Sequence, residues 1–246
     1  MILSLGACKI KSESGEKTAE EKREELEKIE KTIFENEVIT KEYKNSAGTV
    51  TEKISVTLPL IKKTSDCKGK EKINEALYEF EKSVETSAEL NAENIGEDMK
   101  TFGHESALNI VYGYELAEYT EEYVSVVMKG YRKFGEIGED DEPTYTAFAF
   151  SRETGERITL ETFIGTNKDK KQAALDAVIA YSNENYSPNG YEITDEIKDL
   201  LTAYFDESNI VICDEGIKFV YSYNQLSGGS LKGVYYAFVQ WDKVNA

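Results

Sequence analysis

The chain has 246 residues, enough for one large domain or two small domains around a buried core. Its 29 basic and 47 acidic side chains give a net charge of −18, which argues against a nucleic-acid partner and against direct binding to an anionic membrane surface. One histidine and three cysteines are too few for most transition-metal sites, so we expect no metal and no cofactor.

The first eight residues, MILSLGAC, are apolar and place small residues just before Cys8, which is typical of the end of a bacterial lipoprotein signal. A complete signal has about 15–30 residues with a basic start, so we expect this one to begin upstream of Met1. The alternative is a buried N-terminal strand with a chance cysteine. We predict that Cys8 is acylated and that the lipid alone holds the protein to the membrane in the bacterial cell envelope, facing the periplasm or the exterior.

Residues 9–31 are mostly Lys, Glu, Ser and Thr with nearly balanced charges, a composition typical of a solvated tether or a single exposed helix. The acidity therefore belongs to the remaining domain, residues 32–246. This domain can also be divided into two subdomains, at about 32–165 and 166–246.

The first half of the domain predicts strands around one helix. Ile33–Tyr43 and Val50–Leu58 alternate apolar and polar residues about an Asn-Ser-Ala-Gly turn, which indicates a hairpin whose second strand ends at Pro59. A helical apolar stripe predicts a helix from Lys70 to about Asn91. Three strands with a period of two follow it: Ala107–Tyr119, Tyr123–Phe134 and Thr144–Ser151.

The second half predicts two helices and three strands. The helices cover about Lys168–Asn185 and the segment after Thr194, a plausible N-cap followed by two acids. The strands are Asn209–Cys213, Ile217–Tyr223 and Val234–Trp241. Hairpins without regular βαβ alternation indicate an α+β fold, with a largely antiparallel sheet or sheets and helices packed on one face.

With Cys8 acylated, Cys67 and Cys213 form an even pair in a compartment where disulfides persist. A bridge between them is one reading. The alternative is that the two cysteines are separate thiols, Cys213 in an apolar strand and Cys67 in a polar loop. Such positions rarely satisfy disulfide geometry by chance.

Four segments resemble the extracytoplasmic domain shared by the RsiV anti-sigma factor and the accessory region of the PdaC peptidoglycan deacetylase, over about residues 50–242. They are the Ile54 strand with its trailing LPLI, INEALYEF, TYTAFAFSRETGERITLETFI and NIVICDEGIKFVYSYNQLSGG. The matching markers are Thr154, Gly155, Asp214, Glu215, Gly216 and Tyr223.

The resemblance implies a cell-envelope domain that binds a ligand outside the membrane, and one relative captures lysozyme. Its motifs mark a fold and include no catalytic signature, so we expect a binding domain with no catalytic residues. The expected partners are a basic protein such as lysozyme, which a strongly acidic domain attracts, or cell-wall glycan.

A dense acidic loop is the candidate binding segment of the sequence: Glu136, Glu139, Asp140, Asp141 and Glu142. Carboxylates on one loop can bind calcium weakly, but their spacing does not match an EF-hand calcium loop. A solvated hairpin tip is the simpler interpretation. The alternative function is a glycan hydrolase that uses two carboxylates facing each other across a cleft.

Overall fold

The computed structural model describes residues 18–138, 141, 143–185, 193–222, 225–226 and 233–244. Several residues of the sequence predictions lie outside this described part: Cys8, Glu139, Asp140, Glu142 and Tyr223.

Six helices are described: α1 (Ala19–Ile33), α2 (Lys70–Phe102), α3 (Leu160–Ile164), α4 (Lys168–Asn185), α5 (Asp195–Ala203) and α6 (Trp241–Val244). Nine strands are described: β1 (Phe34–Lys44), β2 (Val50–Ile61), β3 (Leu108–Tyr119), β4 (Tyr123–Phe134), β5 (Thr144–Ser151), β6 (Arg157–Ile158), β7 (Ile210–Cys213), β8 (Gly216–Ser222) and β9 (Val234–Gln240). In the described part of the chain, no helix has the length and apolar character to cross a membrane.

The first six strands form one sheet in chain order, from β1 to β6. Neighbouring strands are antiparallel except β2 and β3, which pair in parallel over Glu52–Val56 and Leu108–Tyr112. The long helix α2 makes the crossover that a parallel connection requires. The remaining strands, β7, β8 and β9, form a separate antiparallel sheet.

Pro59 does not end β2, as the sequence predicts, because β2 continues to Ile61. Proline removes one backbone donor, which a central strand with two partners rarely tolerates. At Pro59 the strand has only one partner, because its parallel pairing with β3 stops at Val56. A missing N–H on the unpaired side therefore breaks no hydrogen bond of the sheet.

Helix α2 is longer than the apolar stripe predicts and reaches Phe102. Ala88, Ala92 and Ile95 continue its buried face beyond the predicted end. The helix stops at Gly103, whose φ of 70° is readily adopted by glycine and whose N–H bonds to the carbonyl of Met99. Small residues, which carry little hydrophobic signal, thus hide the second half of the helix in the sequence.

The two sheets pack face to face, and helices cover the outer face of each. On the large sheet, Val126 and Phe148 face α2, and Val127 and Ala147 face Val220 of the small sheet. The core on the far side of the small sheet contains these residues of α4, α5, β7 and β8: Val178, Leu201, Ile212 and Phe219. This confirms the predicted α+β class with largely antiparallel sheets.

Polar side chains fix the register between the two sheets. The hydroxyl of Ser125 accepts a hydrogen bond from the backbone N–H of Ile212 at 3.1 Å, and Ser222 accepts one from the N–H of Tyr145 at 3.0 Å. Both bonds satisfy backbone donors that the packing of the sheets removes from water.

One buried carboxylate has no hydrogen-bond partner within the described residues. Glu52 of β2 is fully buried, and neither of its carboxylate oxygens accepts a hydrogen bond. The nearest cation is Arg132, with Nη2 4.0 Å from Oε1 of Glu52. Burial raises the pKa of Glu52 above its ordinary value of 4.5, and Arg132 only partly opposes this.

The raised pKa predicts a pH-dependent stability. The folded chain holds the Glu52 proton more tightly than the unfolded chain, so its free energy of unfolding falls as pH rises from about 4.5 through the raised pKa. Glu52→Gln removes this fall. It should raise the free energy of unfolding by about 1 kcal/mol near pH 7 and leave it unchanged near pH 4. Urea unfolding at both pH values measures the difference from wild type.

The matched control is Glu42→Gln on the neighbouring strand. Glu42 is exposed and bonds to Lys53, which lowers its pKa, so its neutralisation should bring no gain near pH 7. A Glu52→Gln chain that is no more stable than wild type near pH 7 would contradict the prediction.

Candidate functional site

Arg152, the residue after β5, holds the turn between β3 and β4 in place. Its Nη1 donates to the backbone carbonyls of Thr120 at 2.6 Å and of Glu121 at 3.2 Å. Its Nη2 lies 3.1 Å from Oδ1 of Asp66, and the guanidinium lies 4.2 Å from the ring centre of Tyr119. Only 15% of the Arg152 side chain is exposed, although its partner Asp66 is 79% exposed, so the bond to the Thr120 carbonyl is the best shielded of the three.

The backbone of Arg152 joins the same segments. Its N–H donates to the carbonyl of Glu122 at 2.8 Å, and its carbonyl accepts the N–H of Gly69 at 2.8 Å. Gly69 is in direct backbone contact with Gly155, where a β-carbon would overlap the carbonyl oxygen of Gly69. Gly155 also has a φ of 72°, so glycine fits this position on both counts.

A groove with a volume of about 790 Å³ lies beside this turn. We call it the Arg152 groove. It is lined by the segment Tyr119–Tyr123, Arg152, Phe163, Cys213, Asp214 and Trp241. A second cavity of about 450 Å³ shares Glu121, Glu122, Tyr123 and Arg152 with it and adds Asp66 and Glu153.

Three aromatic side chains form a row in the groove. The rings of Tyr123 and Phe163 meet edge to face with 6.4 Å between centres, and those of Phe163 and Trp241 are 4.8 Å apart. The indole Nε1 of Trp241 donates to the carbonyl of Asp214 at 2.9 Å, which fixes the ring. All three are half-buried, so each leaves part of its ring open to a ligand.

Exposed carboxylates accompany this row. Glu121 and Glu122 lie on the β3–β4 turn, and Asp214 lies on the turn between β7 and β8. Among the described residues, no Lys or Arg forms an ion pair with these three carboxylates, because Arg152 is bound to Asp66 and to backbone carbonyls. Burial raises the pKa of the Tyr123 phenol, and the negative charge of Glu122 raises it further. Carboxylates beside aromatic faces attract cations.

The described residues of the predicted acidic loop, Glu136 and Asp141, do not line this groove. They follow the end of β4, whereas the groove turn precedes the start of β4. Glu136 is exposed, but Asp141 accepts hydrogen bonds from Nζ of Lys133 at 2.9 Å and from the N–H of Gly138 at 2.5 Å. Asp141 therefore stabilises its own turn.

Cys67 and Cys213 are buried free thiols in the structure, which corresponds to the reading of two separate cysteines. Cys67 donates to the carbonyl of Arg152 at 3.4 Å and Cys213 to the carbonyl of Gly216 at 3.2 Å. Burial raises the pKa of both thiols, that of Cys213 to about 11. Both stay protonated near neutral pH and are poor nucleophiles.

Sequence reasoning missed the groove residues on which the site depends: Glu121, Glu122, Arg152, Phe163 and Trp241. Arg152 and Phe163 lie inside the segment TYTAFAFSRETGERITLETFI, which the sequence analysis uses only as a marker of fold. Trp241 is the only tryptophan of the chain, and this was the one signal that could have pointed to it. No group of three or more His, Cys, Asp or Glu in the described ranges is arranged to hold a metal ion.

Two solved structures share the fold. A DUF3298 family protein from Pseudomonas aeruginosa is 11% identical and has a TM-score of 0.51, with 86% of this chain and 93% of that chain covered. A member of the same family from Bacteroides fragilis is 10% identical and has a TM-score of 0.50, with 85% and 90% covered. No family profile and no curated protein matches the sequence. At this identity the likeness shows the fold alone.

The contacts of Arg152 predict a measurable loss on Arg152→Lys. Lysine keeps the charge but loses the planar fork and the stacking on Tyr119, so we expect the free energy of unfolding to fall by about 2 kcal/mol. Hydrogen exchange of the amides of residues 120–123 should accelerate as the turn loosens. Urea unfolding and exchange read by mass spectrometry check the two effects.

Lys68→Ala is the control, because Lys68 forms an ion pair with Glu153 in which both side chains are about two-thirds exposed. Loss of this ion pair should lower the free energy of unfolding by less than about 0.5 kcal/mol. If Arg152→Lys were as mild as Lys68→Ala, Arg152 would not be the residue that fixes the turn.

Proposed function

We propose that this chain is a non-catalytic binding domain of the bacterial cell envelope that captures a basic protein, such as lysozyme, in the Arg152 groove. The observation that carries the proposal is the meeting of half-buried aromatic rings and exposed carboxylates in one groove. A lysine or arginine of a partner finds there both an aromatic face and a carboxylate.

The overall charge supports the same partner. A chain with a net charge of −18 attracts a basic protein over several ångströms and accelerates their encounter, and added salt screens this attraction. The groove adds what bulk charge lacks, because Arg152 holds the backbone of the turn that carries Glu121 and Glu122, and a hydrogen bond holds the Trp241 ring. Fixed groups lose less conformational entropy when a ligand binds.

We expect capture of purified lysozyme at low salt that weakens steeply as salt rises. Neutralising the groove with Glu121→Gln, Glu122→Gln and Asp214→Asn together should raise the Kd about tenfold or more, because each change removes an exposed carboxylate beside the aromatic row. Calorimetric titration at low salt and at about 0.15 M salt measures both effects.

The control removes more charge in the acidic segment that follows β4 in the sequence, through Glu136→Gln, Glu139→Gln, Asp140→Asn and Glu142→Gln. A contact at the groove predicts a smaller loss for this fourfold variant than for the threefold one. Lack of binding at low salt, or a greater loss in the control, would overturn capture at the groove.

Cell-wall glycan is the second candidate ligand, and the row of three rings is the observation that favours it, because sugars stack on aromatic faces. Trp241 is the only tryptophan of the chain, so binding of soluble peptidoglycan fragments can be measured by the change in its fluorescence during a titration. The carboxylate-dependent hydrolase remains an alternative. It predicts that the fragments are cleaved, whereas a binding domain leaves them intact.

We also propose that acylation of Cys8 anchors the chain to the membrane, on the basis of the small residues before it and the polar segment after it. Expression in a bacterium fed an alkyne fatty acid should label the wild-type protein and leave Cys8→Ser unlabelled. Both genes carry the same basic start and apolar region of a known lipoprotein signal ahead of Leu5, so that the residues just before Cys8 are those of this chain. Equal labelling of the two proteins would overturn the proposal.

A further inference from the structure

Strand β1 is the long edge of the six-stranded sheet. It has 11 residues and, within the described part of the chain, pairs with β2 alone. Helix α1 leads into β1 but packs inward against β3, where the Tyr114 hydroxyl lies 3.1 Å from Oε1 of Glu30. One row of backbone donors and acceptors on β1 is therefore left for another strand.

The side chains of β1 are arranged so that the strand complements itself. Glu37 lies in its first half and Lys41 in its second half. Glu42, next to Lys41, is already paired with Lys53 of β2. Antiparallel pairing with a copy of itself about Ile39 places each Glu37 opposite the Lys41 of the other copy. Parallel pairing in register would place like charges side by side, which is unfavourable.

We propose that β1 pairs in this antiparallel register with β1 of a second copy of the chain, which makes the protein a dimer. An exposed apolar side chain supports this register. Val38 is 60% exposed, and the pairing brings it opposite Thr40 of the second copy on the face away from α2. A two-fold axis at Ile39 then places both Val38 side chains near the centre of the contact.

Contacts with α2 already orient the charged side chains at this edge. Glu37 accepts a hydrogen bond from the Tyr78 hydroxyl at 2.5 Å, and Lys41 forms an ion pair with Glu85, so both β1 side chains lie on the face that α2 covers. Helix α2 packs mainly on β2. In the dimer the two β2 strands are three strand spacings apart, about 14 Å, which leaves room for two helices that need about 8–10 Å.

Assembly through the large sheet stops at two copies. The opposite edge of the sheet is β6, which contains only Arg157 and Ile158 and offers too little backbone for another strand. The net charge of −18 on each chain opposes association over long distances, so the dimer forms best where salt screens this repulsion.

Sedimentation velocity over a concentration series at about 0.15 M salt tests the pairing. We expect wild type to shift from monomer to dimer as its concentration rises. Glu37→Lys and Lys41→Glu should each raise the dimer Kd about tenfold or more, because each places two like-charged pairs across the contact. The double variant, with both changes, restores opposite charges and should return the Kd to near the wild-type value.

Lys63→Glu, an exposed change in the loop after β2, is the control for net charge and should leave the Kd unchanged. Circular dichroism shows that each variant is folded before it is compared. Concentration-dependent protection of β1 amides from hydrogen exchange gives an independent readout. A wild type that stays monomeric, a single variant that dimerises like wild type, or a double variant that does not recover would each overturn the proposal.

Discussion

The guanidinium group of Arg152 connects three segments that are distant in sequence: the loop before α2, the turn between β3 and β4, and the end of β5. It does so with hydrogen bonds to Asp66 and to two backbone carbonyls, while its plane stacks on Tyr119. Each of these bonds is charge-assisted, and the Arg152 side chain itself is largely shielded from water, which strengthens the bonds on its buried side. The wall of the groove that contains Glu121 and Glu122 is held by this side chain together with the hydrogen bonds of the turn itself.

The same contact determines the electrostatics of the groove. Arg152 is the only Lys or Arg among the described residues that line the groove, and both of its Nη atoms point at carbonyls or at Asp66. Its charge therefore does not pair with the carboxylates of Glu121 and Asp214. An acidic surface with rigid aromatic rings results, and this combination favours a cationic ligand over an anionic one.

Burial gives other charged groups different roles. Asp141 uses its carboxylate to stabilise its own turn, so a dense acidic sequence is only partly an acidic surface. Glu52 is buried and accepts no hydrogen bond from the described residues, so its burial raises its pKa at a site far from the groove. The net charge alone distinguishes none of these cases, because it counts a carboxylate equally in every environment.

The sequence by itself determined the α+β class, most strand and helix boundaries, and the negative charge. These follow from local periodicity and composition: β4 and β5 begin and end where their alternation does, and Thr194 caps α5. Only the tertiary structure decided that β2 continues through Pro59, that two sheets pack face to face, and that Arg152, Phe163 and Trp241 share one groove. Those outcomes depend on which strands become neighbours, and contacts between residues far apart in the chain leave no periodic trace in it.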